Sequence, residues 1–229
     1  SDLMQAMYGR NGEAPVPIIA AQSPTDCFDA VFEACRIAVE HNTPVFFLSD
    51  GYIANGSEPW KVLTSEDLPE IKTEFAAPRV ETDAPFLAYQ RNEKGARPWA
   101  IPGTKGLAHR IGGIEKDSVT GNISYDPYNH ELMTKLRQAK VDKIADYIEQ
   151  NVLTEEEKGF NQTVLYGRDV TIEDIIATAK RYPMMAERQV VIIKEAQELS
   201  RTIEQLSKYA ENPQPSTVLV INYKYKKID

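Results

Sequence analysis

Few residues in this chain have the types and spacing that chemistry needs. Cys27 and Cys35 lie eight apart on a predicted helix, roughly 12 Å along its axis. A disulfide needs Cα atoms within about 7 Å, so these two do not pair with each other there. They form no C-x-x-C pair for zinc or an iron–sulfur centre, and they read as reduced core thiols. His109 and His130 lack metal-ligand spacing and read as surface or packing residues. Gly103-Thr-Lys-Gly106 has the wrong spacing and flanking elements for a phosphate-binding loop. Asp50-Gly51 with Asn55 offers oxygen ligands of the kind that hold a cation beside a diphosphate. The gap is far too short for such a motif, and a turn leaving a strand explains Asp-Gly equally well. On these grounds no catalytic residue and no metal ligand is assigned.

The elements that would position these residues belong to a globular protein. The 229 residues suffice for one large domain or two small ones. Hydrophobic residues make up 42% and charged residues 26%, an ordinary balance for a folded chain. No run approaches the ~20 apolar residues of a membrane span, and no signal peptide is visible, so a cytoplasmic location and no membrane contact are expected. The missing initiator Met suggests a fragment. The net charge of −8 disfavours phosphate-backbone binding, so no direct DNA contact is expected. The one basic run, Lys224-Tyr-Lys-Lys227, suits a solvated strand end.

The fold class is α/β. Two partial parallel-sheet units are joined by a helix, and a long irregular segment rich in Pro and Gly lies between about 55 and 128. Val16–Ala21 reads as a buried strand. Ser23-Pro-Thr-Asp26 supplies an N-cap at Ser23, a first-turn Pro24 and a reciprocal capping contact from Asp26. The helix that follows runs to about His41, with Cys27, Phe28, Val31, Phe32, Cys35, Ala38 and Val39 as its apolar stripe. Thr43-Pro44 stops it, and Val45–Asp50 is a second buried strand. Ligands in such units sit at the carboxyl ends of strands, which directs attention to Ser49, Asp50, Gly51 and Tyr52.

The Pro- and Gly-dense segment is too long for an ordinary loop and should wrap a surface or contact a partner subunit, anchored by Trp60, Phe75, Phe86 and Trp99. Leu132–Leu153 is helical, with Leu132, Leu136, Val141, Ile144, Ile148 and Leu153 as a loose apolar face. Strands follow at Thr163–Tyr166, Gln189–Ile193 and Thr217–Ile221. Helices follow a capping box at Thr171–Asp174 and cover Ser200–Ala210. The division is 1–54 and 154–229 as partial α/β domains, 55–131 as the wrapping segment and 132–153 as the joining helix.

Two segments carry a specific resemblance to known families. SDLMQAMYGRNGEAPVPIIAAQSP (1–24) and KGARPWAIPGTKGLAHRIGGIEKDSVTGNISYDPYNHELMTKLRQAK (94–140), within a match over nearly all of 1–148, resemble the alpha subunit of 2-oxoacid:ferredoxin oxidoreductases, nearest the 2-oxoglutarate type. The resemblance implies part of a thiamine-diphosphate-type α/β domain. It implies a complete enzyme that decarboxylates a 2-oxoacid, makes an acyl-CoA and reduces ferredoxin. Thiamine diphosphate, Mg and iron–sulfur centres are expected only in that full complex, with an oxidoreductase beta subunit as partner and no cofactor bound by this chain alone. The family's substrate-contacting Gly-Pro-Ser-Thr-Gly segment would precede residue 1, so no catalytic residue carries over. Arg10, in Tyr8-Gly9-Arg10, is a substrate-side candidate.

GFNQTVLYGRDVTIEDIIATAKRYPMMAERQVVIIKEAQELS (159–200), within a match over about 143–229, resembles the N-terminal domain of the delta subunit of the DNA polymerase III clamp loader. That family has an ATPase-like fold without a working phosphate loop and opens the sliding clamp. Its clamp-binding tip is an apolar pair at a helix end before Ala-x-Arg-Gln, which places Met184 and Met185 here. The two resemblances meet in Lys140–Gln150, a stretch expected in both families. The expected function is a composite of fragments. Its main part is a partial oxidoreductase alpha subunit without activity alone, and the alternative is a clamp-binding module.

Overall fold

Parallel pairing of Ile18–Ala20 (β1) with Phe46–Leu48 (β2) sets Ile18 opposite Phe46 and Ala20 opposite Leu48. Helix α2 (Asp26–Glu40) is the crossover between them. The strands are shorter than their apolar runs because Pro15, Pro17 and Pro44 lack N–H groups for a ladder. Helix α1 (Asp2–Tyr8) precedes them, and α3 (Gly51–Asn55) follows β2. These elements lie in the first of two units, residues 1–144, the second being residues 145–229. The chain is described from a computed structural model that covers residues 2–80 and 84–223, so the basic run Lys224–Lys227 lies outside the described residues.

The buried face of α2 differs from the predicted stripe. Ala30, Ala34, Ile37 and the capping His41 are buried, whereas Phe28, Val31 and Cys35 are exposed. The helix is apolar around much of its circumference, so periodicity alone did not choose the inner face. Cys35 is therefore not a core thiol; Cys27 is partly buried, and both are free. At the start of α2, Ser23 Oγ accepts from Asp26 N (3.3 Å), as the predicted cap requires. The returning contact shifts by one residue, because the Asp26 carboxylate accepts from Gln22 N (2.9 Å) and the regular helix begins only at Asp26.

Between α3 and Pro127 the described residues form no helix and no strand longer than an isolated bridge. The segment lies along α2 by specific contacts. Thr25 N and Oγ1 both donate to Glu58 (3.0 and 2.7 Å). Lys72 N donates to Glu40 (3.1 Å), and the Trp99 indole donates to the Val39 carbonyl (3.0 Å). The Trp60 ring stacks at 5.2 Å from Phe28. Further on, Asp117 Oδ1 accepts from Val119 N, Thr120 N and Thr120 Oγ1, which closes the turn beneath the Lys116–Ile123 bridge. Buried Asn129 then binds Ser118 N and Lys116 O.

Helix α4 runs Pro127–Asn151, five residues earlier at its start than the apolar pattern indicated. Asp126 Oδ1 accepts from Tyr128 N (3.0 Å) and Pro127 takes the first helical position. Leu132, predicted on the inner face, is exposed, while Met133, Ile144 and Ala145 are buried.

The second unit is a three-stranded parallel sheet in the order β3 (Gln162–Tyr166), β4 (Gln189–Lys194), β5 (Thr217–Ile221). Central β4 is the core: Val190, Val191, Ile192 and Ile193 are all but fully buried, with β3 and β5 paired to its two edges and Val152 and Leu153 packed with Val190 and Ile192. Helix α6 (Ile172–Ala179) carries the predicted box, with Thr171 and Asp174 side chains each accepting from the other's backbone N–H. A second box, Thr154 with Glu157, starts α5 (Glu155–Asn161). The helix expected over Ser200–Ala210 is instead two 3-10 turns, Ala196–Leu199 and Ile203–Gln205, leading into the five-residue α7 (Leu206–Ala210). Ile203, Leu206 and Tyr209 are buried at a spacing of three, the repeat of a 3-10 turn.

Candidate functional site

The carboxyl ends of β1 and β2 are where the first unit would present a ligand site, and local structure already uses their polar groups. The Asp50 carboxylate accepts from Ile53 N (2.9 Å) and caps α3. The Asn55 amide donates to Gly51 O (2.7 Å) within the same turn. Tyr52 projects into solvent. At the start of α2, the chain's own Glu58 occupies the position an anion would take, and its hydrogen bonds from Thr25 hold its carboxyl below the usual range.

Arg10 follows α1 and turns back on it. Its guanidinium donates to the carbonyls of Ala6, Met7 and Ala14, the last at 2.6 Å. It also lies 5.5 Å from the Phe46 ring centroid. It thus satisfies carbonyls that the helix end leaves open. His109 Nδ1 donates to Leu107 O (2.6 Å) and its ring packs against Phe86, and His130 pairs with Glu115 (2.6 Å). An apolar recess of about 320 Å³ is lined by Ala38, Val39, Asn42, Thr43, Pro44 and Trp99, none of which titrates in the neutral range.

Among the described residues of this unit, Lys140 has a strongly shifted pKa. Burial, then Arg91 and Arg97, lowers its pKa to about 8. Its ammonium donates to Asn42 O (3.0 Å), where the chain leaves α2 with Asn42 in the left-handed region at φ 46°.

In the second unit, Met184 and Met185 stand out by exposure. Met184 is 62% exposed and Met185 is fully exposed at 103%. They sit in the loop between α6 and β4, not at a helix end, because α6 stops at Ala179. Met185 adopts φ 55°. The base of this loop is fixed. Gln189 Nε2 donates to Thr217 Oγ1 (2.7 Å), to Ala179 O (3.4 Å) and to Arg181 O. Thr217 Oγ1 donates to Ala179 O (2.7 Å). Asn161, buried at the end of α5, reaches across 23 residues to hydrogen-bond Met184 N and O. Neither Asn161 nor Glu58 carries a local sequence signal, since each acts on a residue more than 20 positions away.

Among the described residues, backbone groups at the strand ends of this sheet bond to one another. Gly167 N bonds Lys194 O (2.8 Å) and Ala196 N bonds Asn222 O (3.0 Å), so backbone groups close the edge on themselves. The Lys194 ammonium pairs with Glu149 (3.0 Å) and lies 3.7 Å from Asp146; the Glu149 contact leads in raising its pKa.

With this geometry established, similarity to known proteins divides along the chain. Residues 1–124 match the family of pyruvate flavodoxin/ferredoxin oxidoreductases, thiamine diphosphate-binding, and the chain belongs to that family. Residues 138–229 match the DNA polymerase III delta subunit family. The 2-oxoglutarate oxidoreductase subunit KorA of Mycobacterium tuberculosis is 57% identical over 145 residues, 63% of this chain and 22% of that protein. DNA polymerase III subunit delta of Bacillus subtilis is 31% identical over 91 residues, 36% of this chain and 26% of that protein. The delta similarity is the weaker of the two. The chain thus spans about a quarter or less of either relative. The solved 2-oxoglutarate:ferredoxin oxidoreductase from Magnetococcus marinus, with 2-oxoglutarate, coenzyme A and succinyl-CoA bound, aligns with 99% of this chain and 43% of its own at a TM-score of 0.57. At 19% identity that likeness shows the fold alone.

Thiamine diphosphate is implied by the family, and the described residues do not fit a self-contained site for it. A diphosphate is held through a divalent cation and its carboxylate ligands. Among the described residues no three His, Cys, Asp or Glu side chains are placed to hold a metal. Asp50 and Asn55 are engaged as cap and turn. Nor is any described helix long and apolar enough to cross a membrane.

Proposed function

We propose that residues 1–144 act as a segment of a 2-oxoacid:ferredoxin oxidoreductase alpha subunit, contributing scaffold to a larger catalytic assembly and turning over no substrate alone. The observation that carries this is the 57% identity with KorA, set beside strand ends whose polar groups serve caps and turns. In this reading Arg10 fixes the turn between α1 and β1 on the substrate side, and an oxidoreductase beta subunit is the partner. Thiamine diphosphate and Mg would be held mainly by surrounding subunits, and iron–sulfur centres would lie elsewhere in the complex. The test is co-expression with a thiamine-binding beta subunit, followed by co-purification and ferredoxin-dependent 2-oxoglutarate oxidation. Turnover by the isolated chain with thiamine diphosphate and Mg sinks the proposal.

A second reading rests on the exposed Met184–Met185 pair. The relative named DNA polymerase III subunit delta, and the clamp-binding tip that its family places at this pair, support docking onto a sliding clamp. Methionine suits such an anchor because its side chain is flexible and polarisable. Titration of the full chain against a bacterial sliding clamp decides it: Met184→Ala/Met185→Ala abolishes binding. Undiminished binding by that variant, or no binding by the parent chain, removes the reading.

A further inference from the structure

In the exposed loop, the N–H and C=O of Met184 both bind one side chain. That side chain is Asn161, 3% exposed at the end of α5. Its Oδ1 accepts from Met184 N at 2.6 Å and its Nδ2 donates to Met184 O at 2.9 Å. The same Nδ2 donates to Glu157 O (3.1 Å), which fixes the amide's own orientation against α5. The pairing copies one rung of a β-ladder with a side chain in place of a strand. It fixes the peptide planes on both sides of Met184, and therefore the direction in which Met184 and Met185 leave the surface. Met185, the next residue, is held at φ 55°, a conformation that residues other than glycine rarely adopt unaided. Nothing on the apolar side chains themselves anchors this geometry, because both project into solvent.

An apolar pair that inserts into a partner's pocket gains affinity when its backbone is ordered before binding. We propose that Asn161 is a positioning residue that pre-sets the Met184–Met185 tip for insertion into an apolar pocket on a sliding clamp, without touching the clamp itself. The proposal rests on the docking reading above. Freeing the backbone of one residue should weaken binding roughly 5- to 30-fold.

The test uses the full chain and a bacterial sliding clamp, with Asn161→Ala and Asn161→Asp beside Met184→Ala/Met185→Ala. Asn161→Ala removes both bonds; Asn161→Asp keeps an acceptor for Met184 N but sets an oxygen against Met184 O. Amide hydrogen exchange at Met184 and along Val190–Ile193 is measured in the same samples. The expected result has three parts. The double Met variant loses binding. Both Asn161 variants bind more weakly by the factor given, with Asn161→Ala at its upper end. Met184 N–H exchanges at least about tenfold faster in Asn161→Ala while the β4 amides stay protected. Unchanged affinity in both Asn161 variants, with binding lost in the Met variant, overturns the positioning role and leaves the docking reading standing. Loss of β4 protection in both Asn161 variants also overturns it, since Asn161 would then support the unit as a whole. Failure of the parent chain to bind overturns the docking reading and this proposal with it.

Discussion

Replacing Thr217 by Val should destabilise the second unit by about 2 kcal/mol. Thr217 is 1% exposed and its hydroxyl bonds protein groups in both senses. It accepts from Gln189 Nε2 (2.7 Å) and donates to Ala179 O (2.7 Å). Valine preserves the shape and removes both bonds. Neither partner is stranded, because Gln189 Nε2 keeps Ala179 O and Arg181 O, and Ala179 O keeps the Tyr209 hydroxyl at 3.2 Å. The cost is therefore that of two net hydrogen bonds at about 0.5–1.5 kcal/mol each, roughly 1–3 kcal/mol, without the larger penalty of an orphaned group. The readout must be local to this unit. Both tryptophans, Trp60 and Trp99, lie in residues 1–144, so their fluorescence does not follow it. Native-state hydrogen exchange of the Val190–Ile193 amides does. Tyr209→Phe removes another donor to the same carbonyl, so the two substitutions should be non-additive by at least about 0.5 kcal/mol. A change below about 0.5 kcal/mol in β4 protection on Thr217→Val refutes the assignment of this network to the core.

Three further outcomes follow from single contacts. Thr154→Ala removes the cap of α5 and should cost about 1 kcal/mol, seen as faster amide exchange through Glu157–Asn161 with Val190–Ile193 less affected. Gly106→Ala should destabilise the first unit, because Gly106 sits at φ +74° and a Cβ there runs into the Arg79 carbonyl; an unchanged Trp-fluorescence urea midpoint contradicts this. Lys140, with a folded pKa of about 8 against an ordinary 10.5, binds fewer protons folded than unfolded between those values. The unit's stability should therefore gain a rising contribution as pH goes from about 8 to about 10.5, and fall back as pH drops through that window. Lys140→Met should flatten the rise, and identical slopes for the two chains in Trp-monitored melts contradict the burial of this ammonium.

The elements that could be read directly are those whose apolar runs were bounded by strong stops. β3, β4 and β5 appear within a residue of their expected limits, and the Thr171–Asp174 box starts α6 as its letters indicate. The Thr154–Glu157 box escaped because the residues after it, Glu155, Glu156, Glu157, Lys158 and Gly159, give no apolar period to attach it to. The start of α4 escaped for a related reason: its first turn is polar and its first leucine faces water, so only Asp126-Pro127 marked it. Local order did not single out the methionine pair, which the family resemblance placed through the Ala-x-Arg-Gln that follows it. It could not supply Asn161, whose grip on Met184 exists only once β3 and the α6–β4 loop are brought together. Nor could it supply the buried trio Gln189, Thr217 and Tyr209, joined through one helix-end carbonyl.

The two units differ in what their cores are made of, and this bears on which function each can sustain alone. In residues 145–229 the buried apolar set is mostly large: Ile172, Ile175, Val190, Val191, Ile192, Ile193, Ile203 and Leu206. In residues 1–144 it is mostly alanine, with Ile37, Leu107, Met133 and Ile144 as the larger members. At about 25 cal/mol per Å² of apolar surface, an alanine methyl contributes little beside an isoleucine side chain. The first unit meanwhile leaves Val62, Phe75, Trp99, Ile101, Ile111 and Ile114 substantially exposed. If the first unit is a segment of a larger oxidoreductase, as proposed, these residues are where other polypeptide would cover it. The second unit has a core of its own, and it too exposes apolar residues: Phe160 and Tyr182 as well as the Met184–Met185 pair. The proposed docking through Met184 and Met185 would draw on the α6–β4 loop and its supports. The proposed oxidoreductase role would need other polypeptide to cover the first unit's exposed apolar residues.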